Sequence, residues 1–161
     1  MERIASFSVD HNKLSPGIYL SREDKTPSGD TIRTYDVRMC APNRDPVLTI
    51  ASAHTLEHLG ATYLRNHAEW SSKTIYFGPM WCRTGMYVLF SGEPTGPEVV
   101  KILQDMYQWI TEFPSDEQVP GATAAECGNY RDHNLTEAQK DAAKFLEIIK
   151  NEKDLGTYTY L

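Results

Sequence analysis

The chain has 161 residues, of which 40% are hydrophobic and 24% charged, so we expect residues 1–161 to form a single domain of ordinary composition. Its 22 acidic residues outnumber its 16 basic ones, and the net charge of −6 argues against a nucleic-acid partner. It contains no apolar run of about 18 residues and no apolar signal-peptide core, which argues against membrane insertion and export. Three cysteines, an odd number, argue against a disulfide framework and favour the reducing cytoplasm.

The first quarter of the chain predicts short strands separated by turns. Residues 4–9 alternate loosely between apolar and polar side chains and predict a first strand. Ile18–Leu20 predicts a second strand, after the turn signal Pro16-Gly17. Thr26–Asp30 is typical of a hairpin loop, and Thr31–Cys40 predicts a longer strand.

Alternation within this longer strand separates two kinds of side chain. Tyr35, Val37 and Met39 share one face, whereas Asp36 and Arg38 share the other. The first face is therefore a candidate for the core. The charged face is either solvated or directed into a functional site.

The middle of the chain predicts a helix followed by two strands. Ser52 is a candidate N-cap for a helix that runs to about residue 67. Lys73–Phe77 and Gly85–Ser91 predict strands, because both are rich in aromatic and branched side chains.

Two further helices are predicted in the second half. Pro97 is typical of a helix's first turn. The apolar face of that helix would consist of Val99, Val100, Leu103, Met106, Tyr107 and Ile110. Residues 114–134 are mostly irregular, and Thr136–Gln139 resembles a capping box for a last helix that ends near Lys150. Because strands and helices do not alternate regularly, the predicted class is α+β, an antiparallel sheet with helices packed on one face.

The most informative stretch is His54-Thr-Leu-Glu-His58. Positions i, i+3 and i+4 of a helix share one face, so the two imidazoles can bind one metal ion with Glu57 beside them as a general base. The H-x-x-E-H pattern also occurs in metallopeptidases of the inverzincin type. Two imidazoles alone hold a divalent ion poorly, so a third ligand is needed.

Cys127 is the candidate third ligand. It precedes Gly128 in an irregular segment, where a glycine lets the backbone fold tightly around a site. A His₂Cys set suits a borderline-soft ion such as Zn(II), Co(II) or Fe(II). The alternative is a cysteine that simply packs in the core, and spacing does not decide between the two.

Cys82 is a second candidate for chemistry. Arg83 beside it, or Arg38 from another strand, would stabilise a thiolate that moves protons. The alternative is an ordinary cysteine near a surface arginine. Cys40 is interpreted as a packing residue.

The remaining candidates carry little information by themselves. Ser6 and His11 point to no particular chemistry. His67 and His133 are predicted to lie at the surface.

Taken together, six segments resemble one family. They are Ser6–His11, Asp36–Asn43, His54–His58, Arg65–His67, Gly78–Gly85 and Glu126–Asn129. In this order they are similar to S-ribosylhomocysteine lyases, the LuxS family. The resemblance covers residues 3–150 or so, and the set is far more specific than H-x-x-E-H alone.

The resemblance implies a small α+β homodimer with active sites at the subunit interface. Fe(II), replaceable by Zn(II) or Co(II), would be held one per subunit by His54, His58 and Cys127, with water or substrate completing the shell. Glu57 and Cys82 would be the acid–base groups.

The resemblance also implies roles around these groups. Arg38 would lie by Cys82. Ser6 and His11 would reach the substrate from the neighbouring subunit, and Gly128 would lie against it.

The implied reaction cleaves the thioether of S-ribosylhomocysteine, a small-molecule substrate. The products are homocysteine, which belongs to the methyl cycle, and 4,5-dihydroxy-2,3-pentanedione, the precursor of the quorum-sensing signal autoinducer-2. Two departures from the family pattern stand near the site: Trp81 occupies a position where many members have glycine, and Tyr76 one where some have aspartate.

Two alternatives remain. One is a zinc metallopeptidase, which the length of the chain and a cysteine third ligand disfavour. The other is a relative that binds metal without catalysis because Trp81 obstructs the pocket.

Overall fold

The computed structural model describes residues 7–115 and 117–151 of the chain. Within them it has four strands and three helices. The strands are β1 (Gly17–Lys25), β2 (Thr31–Arg38), β3 (Thr74–Pro79) and β4 (Gly85–Ser91). The helices are α1 (Ile50–Asn66), α2 (Gly96–Glu112) and α3 (Leu135–Asn151).

The four strands form one sheet in the order β1-β2-β4-β3, and every neighbouring pair is antiparallel. A tight turn joins β1 to β2. Its Gly29 has φ of 95°, which only glycine adopts readily, and its N–H donates to the carbonyl of Thr26. The antiparallel sheet with three separate helices confirms the predicted α+β class.

A continuous core joins one face of the sheet to the helices. Tyr35 and Val37 of β2 lie opposite Val88 and Met86 of β4, and all four are buried. The predicted apolar face of α2 is buried throughout. Each fully buried aliphatic side chain contributes about 1.5–3 kcal/mol. The predicted alternation of side chains in β2 and the predicted helical spacing of apolar residues in α2 are therefore confirmed for the core.

Helix ends differ from the prediction in two places. α1 begins one residue after Thr49, whose side chain accepts a hydrogen bond from the N–H of Ser52. Ser52, the predicted cap, is buried and donates its hydroxyl to Asp141 of α3. α3 begins before the predicted capping box, because Asn134 accepts the N–H of Glu137. Both corrections reflect competition among neighbouring polar residues that can all cap a helix.

The strand predicted over residues 4–9 is wrong where the structure describes it, because residues 7–9 form turn and bend structure. Residues 4–6 lie outside the described residues. β1 is longer than predicted, since its polar second half pairs with the start of β2 as far as Lys25 and Thr31. None of the described helices is long and apolar enough to cross a membrane.

Candidate metal centre

His54 and His58 lie one turn apart on α1, as their spacing predicts. Their ring centroids are 4.7 Å apart and the rings meet edge to face. α1 is anchored beneath them by Leu56 and Leu59, which are fully buried in the core. The burial of one face thus directs the two imidazoles toward the opposite side, where residues 119–134 cross the helix.

Backbone carbonyls of this crossing segment orient both rings. His54 Nδ1 donates to the carbonyl of Asp132 at 2.9 Å, and His58 Nδ1 donates to the carbonyl of Pro120 at 2.7 Å. A carbonyl can only accept, so in the neutral rings both Nε2 atoms carry lone pairs. Histidines that bind a metal through one ring nitrogen usually donate a hydrogen bond from the other nitrogen in this way.

Cys127 comes to the same place from far along the chain. Its Sγ lies 3.4 Å from His54 Nε2, and the N–H of Asn129 points to the sulfur at 3.4 Å. A turn closed by the Cys127 N–H and the Thr123 carbonyl at 2.9 Å holds the segment in shape. The structure therefore brings together the three residues that the sequence proposes as ligands.

His133 joins this cluster, and its prediction as a surface residue is wrong. One ligand atom each of His54, His58, Cys127 and His133 lies within 4.8 Å of all the others. The His133 ring stacks on that of His54, with centroids 4.1 Å apart and planes at 23°. No sequence spacing signals this contact, because His133 reaches α1 only through the path of the 119–134 segment.

The cluster fits a metal ion by its donor chemistry and by one buried atom. Burial, followed by the positive charges of His54 and His58 when protonated, lowers the pKa of His133 to about 4, so its ring is neutral at pH 7. Its Nε2 is buried and has no hydrogen-bond partner among the described residues. An unsatisfied buried polar atom costs about 1–3 kcal/mol, and a cation between these donors removes that cost.

Glu57 lies on α1 beside His58 and lines an open cavity of about 430 Å³. Arg65, two turns further along α1, and Tyr76 of β3 also line it. Burial and then the Glu57 charge raise the pKa of Tyr76, so the phenol stays neutral. The cavity thus offers a carboxylate, a guanidinium and the hydroxyls of Thr62 and Tyr76 next to a metal-binding cluster.

Cys82 lies at the exposed turn between β3 and β4. Burial tends to raise its pKa, but the hydroxyl of Thr84 at 3.2 Å, the Thr84 backbone and the Arg38 charge outweigh this and lower it. Nη1 of Arg38 approaches the sulfur at 3.8 Å. The structure therefore places Arg38 by Cys82, although Cys82 is not among the described residues that line the Glu57 cavity.

Buried contacts hold Arg38 in this position. It is only 2% exposed and forms an ion pair with Asp36, which is also buried. Its Nη1 also donates to Thr84 Oγ1. The charged side chains on this face of β2 therefore form a buried network of polar contacts that extends to the Cys82 thiol.

The turn that carries Cys82 is strained and projects outward. Arg83 has φ of 60°, which is uncommon for a non-glycine residue, and its N–H donates to the Met80 carbonyl at 2.8 Å. Trp81 is 89% exposed, so its indole packs against little of the described chain.

The other predicted site residues are not gathered into the metal cluster. Ser6 lies outside the described residues. His11 is half-buried, and its ring contacts the Val9 carbonyl. A Cβ at Gly128 would meet nothing within 4 Å, so open space adjoins it. Cys40 is buried, in keeping with a packing role, and His67 lies at the C-cap of α1.

These features define a class of protein. It is an α+β domain in which two histidines of one helix and a cysteine distant in sequence can bind one metal ion. Over residues 4–155 the chain matches the family described as S-ribosylhomocysteinase (LuxS). The chain belongs to this family.

Relatives called S-ribosylhomocysteine lyase share most of its length. The Clostridium acetobutylicum protein is 50% identical over 152 residues, covering 94% of both chains. The Desulfotalea psychrophila protein is 46% identical over 159 residues, covering 97% of this chain and 98% of its own. The Clostridium beijerinckii protein is 48% identical over 159 residues.

Proposed function

We propose that this protein is an S-ribosylhomocysteine lyase, formed by residues 1–161 as one domain. It cleaves the thioether of its substrate to homocysteine and 4,5-dihydroxy-2,3-pentanedione. The observation that carries this is the meeting of His54, His58 and Cys127 in a chain that matches the family over residues 4–155. No observation favours the metallopeptidase alternative.

In this proposal His54, His58 and Cys127 hold one Fe(II) per subunit, and Zn(II) or Co(II) can substitute. Two neutral imidazoles with oriented lone pairs and one thiol suit such borderline-soft ions. When bound, the ion supplies Lewis-acid polarisation of the sugar carbonyl, which needs no redox change.

Glu57 and Cys82 move the protons. To shift the carbonyl from C1 to C2, a base takes the proton from C2, an acid returns one to C1, and the hydroxyl proton of O2 moves to O1. Repeating this between C3 and C2 brings the carbonyl to C3. The position of Glu57, which lines the cavity beside His58, supports its role in proton transfer. The lowered pKa of Cys82 supports it by favouring the thiolate over the thiol.

The last step is a β-elimination. With the carbonyl at C3, the proton on C4 is acidic. Its removal forms the C4–C5 double bond, and the electron pair of the C5–S bond leaves with sulfur. The sulfur takes a proton to give homocysteine, and the C4 enol gains a proton at C5 and loses its hydroxyl proton to give the diketone. Protons and electrons therefore balance without an oxidant or a reductant.

We also propose a homodimer with its active sites at the interface. Two aromatic side chains, Phe7 at 67% and Trp81 at 89% exposure, leave large apolar surface uncovered in the protomer. In the dimer, Ser6 and His11 reach the neighbouring site, and Gly128 lies against the substrate, with open space beside its Cα in the protomer.

We place this activity in the cytoplasm, where thiols remain reduced. All three cysteines are free, and two of them have to be reduced for the proposed chemistry. The diketone product would feed autoinducer synthesis, and homocysteine would return to the methyl cycle.

A thiol-release assay tests the function. S-ribosylhomocysteine is added to anaerobically metallated protein, and free thiol is measured with a chromogenic disulfide. Homocysteine release that disappears in Glu57→Gln supports the lyase. Cleavage of peptides without thiol release would point to the metallopeptidase, and neither activity would point to a relative without catalysis.

A further inference from the structure

The cavity beside Glu57 is bounded by α1 and β3, which run in opposite directions. Nη2 of Arg65 donates to the carbonyl of Ile75 at 2.7 Å, and a Cβ at Gly60 would meet the ring of Phe77. Arg65 therefore lies at the start of β3, and Glu57, two turns earlier on α1, lies toward its end. The cavity thus has a cation at one end, and a carboxylate with the metal-binding cluster at the other.

The side chain of Tyr76 is folded back along this wall. Tyr76 and Gly78 are two positions apart on β3, so they face the same side of the strand. A Cβ at Gly78 would lie 2.1 Å from the Tyr76 hydroxyl oxygen and 2.5 Å from its Cζ. The phenol therefore lies over Gly78, and its hydroxyl fills the place that a side chain at position 78 would take.

The Tyr76 hydroxyl is neutral and available to a ligand. Burial and then the charge of Glu57 raise its pKa. It forms no hydrogen bond with another described residue, and the side chain that lines the cavity remains 44% exposed. A neutral phenol can donate a hydrogen bond to a carboxylate and accept one from an ammonium group. With Arg65 on the same wall, it matches the two charged groups of an amino acid.

The length of the cavity suits the proposed substrate in one direction. Arg65 is seven positions after His58, which corresponds to about 10 Å along α1. With the sugar beside Glu57 and the metal-binding cluster, the thioether and the carbon chain beyond it extend toward Arg65. The guanidinium attracts the carboxylate of the homocysteine part, and Tyr76 lies against this amino-acid end.

We propose that Tyr76 is a specificity-determining residue whose hydroxyl forms a hydrogen bond with the amino-acid end of the substrate, and that Gly78 is a positioning residue that acts through Tyr76. The inference rests on the proposed function. Gly78 is not among the residues with positive φ, so its backbone accepts alanine. The group that alanine would displace is the end of a half-exposed side chain. Gly78→Ala should therefore move the phenol without destabilising the fold.

Two substrates test the contact of the hydroxyl. S-ribosylhomocysteine is compared with 5-propylthioribose, which keeps the sugar and the thioether but has no amino or carboxylate group. In Tyr76→Phe, kcat/KM for S-ribosylhomocysteine should fall about 10- to 100-fold, mainly through KM, as for a lost hydrogen bond to a charged group. The value for the analogue should change less than about twofold, because its apolar end makes no such bond.

Tyr63→Phe, a change on α1 outside the cavity, is the matched control and should alter neither value. If the analogue reacts too slowly, its inhibition constant replaces kcat/KM. An equal loss for both substrates, or no loss for S-ribosylhomocysteine, would overturn the assignment of Tyr76.

A double-mutant cycle tests Gly78. Gly78→Ala should raise KM for S-ribosylhomocysteine about as much as Tyr76→Phe, with the midpoint of thermal unfolding unchanged. In a Tyr76→Ala background, where no phenol remains to be displaced, Gly78→Ala should have no further effect on KM. An undiminished effect there, or an unchanged KM in Gly78→Ala alone, would show that Gly78 does not act through Tyr76.

The same comparisons can be made without turnover. Calorimetry measures the binding of S-ribosylhomocysteine to each variant in a metallated Cys82→Ala background, and thiol release by the natural protein is measured separately. A failure of the lyase function is therefore distinguishable from a failure of this inference.

Discussion

At the residue scale, the proposed chemistry depends on two different sulfur atoms. Cys127 lies among imidazoles with its sulfur 3.4 Å from His54 Nε2, which suits a ligand. Cys82 lies on an exposed turn beside Arg38 and Thr84, which suits a proton-transfer thiolate. The two environments assign separate roles to residues of the same type.

Replacing Cys82 by alanine tests this separation. We expect turnover to fall by about 10²–10⁴-fold, the usual contribution of a positioned acid–base group, with metal still near one equivalent per subunit. Cys127→Ala is the matched control and should lose metal. Thiol release and metal analysis on the same samples check both results, and loss of metal from Cys82→Ala would show that the sulfurs were assigned to the wrong roles.

Thr84 sets the ionisation of Cys82 by a hydrogen bond to its sulfur. Thr84→Val removes the hydroxyl at nearly constant volume, so we expect the pKa of Cys82 to rise. A thiolate with a lowered pKa persists as the pH falls until that pKa is reached. Raising the pKa therefore moves the acidic limb of kcat/KM to higher pH.

The same shift should appear in a measurement that needs no substrate. The rate of Cys82 alkylation by iodoacetamide against pH, followed by peptide mass spectrometry, reports the thiolate directly. Thr84→Ser keeps the hydroxyl and should restore the natural profile. Coincident profiles for Thr84→Val and the natural protein would rule out this role for the hydroxyl.

At the element scale, α1 determines where the metal-binding face lies, and its contact with β3 has little spare room. A Cβ at Gly60 would lie 2.3 Å from Cε1 of Phe77. Gly60 and His58 are two residues apart on one helix. The distance of α1 from the sheet thus depends on a glycine that faces a buried aromatic ring.

Gly60→Ala should therefore destabilise the protein despite alanine's better helix propensity. We expect a loss of about 1–3 kcal/mol in the free energy of unfolding, typical of overpacking, measured by urea denaturation. The double variant Gly60→Ala/Phe77→Leu should lose less than the sum of the single changes, because leucine lacks the clashing ring edge. Strict additivity would contradict a direct contact between the two positions.

At the scale of the whole molecule, the two most exposed large apolar side chains among the described residues lie outside the four strands and three helices. Phe7 precedes β1, and Trp81 lies on the turn that carries Cys82. A dimer that covers Trp81 would also enclose the turn next to the proposed catalytic thiol. Association and catalysis would then depend on the same residues.

We expect Trp81→Ser to weaken the dimer by about 30-fold or more, as for an aromatic residue that dominates an interface. Analytical ultracentrifugation across a concentration series measures this effect. The free energy of unfolding of the isolated protomer should change by less than about 0.5 kcal/mol, because the indole is exposed there. Lys140→Ser, an exposed change on α3, is the control. Equal dimer affinity in both variants would show that Trp81 is not part of the interface.

Much of the architecture follows from local patterns. The alternation of Tyr35 and Val37 with Asp36 and Arg38 correctly separated the core face of β2 from its charged face. Helical spacing correctly placed His54 and His58 on one side of α1. These predictions succeed because the period of a strand or helix depends on a few neighbouring residues.

Local rules were weaker at element ends and for distant contacts. Thr49 rather than Ser52 caps α1, since Ser52 forms a hydrogen bond with α3 instead. The contact of the His133 ring with His54 and His58 had no signal in sequence spacing, because it depends on Thr55 and on the course of the 119–134 segment. Such contacts are decided by global packing, which local spacing does not encode.

The sequence by itself determined most of the strands and helices, the paired imidazoles with their glutamate, and, through its family motifs, the expected chemistry. Only the tertiary structure decided that Cys127 and His133 meet that pair, and that backbone carbonyls orient the rings. The physical reason is that a helix brings i and i+4 together without help from the rest of the chain. Joining residues about 70 to 80 positions apart requires the whole core to form first.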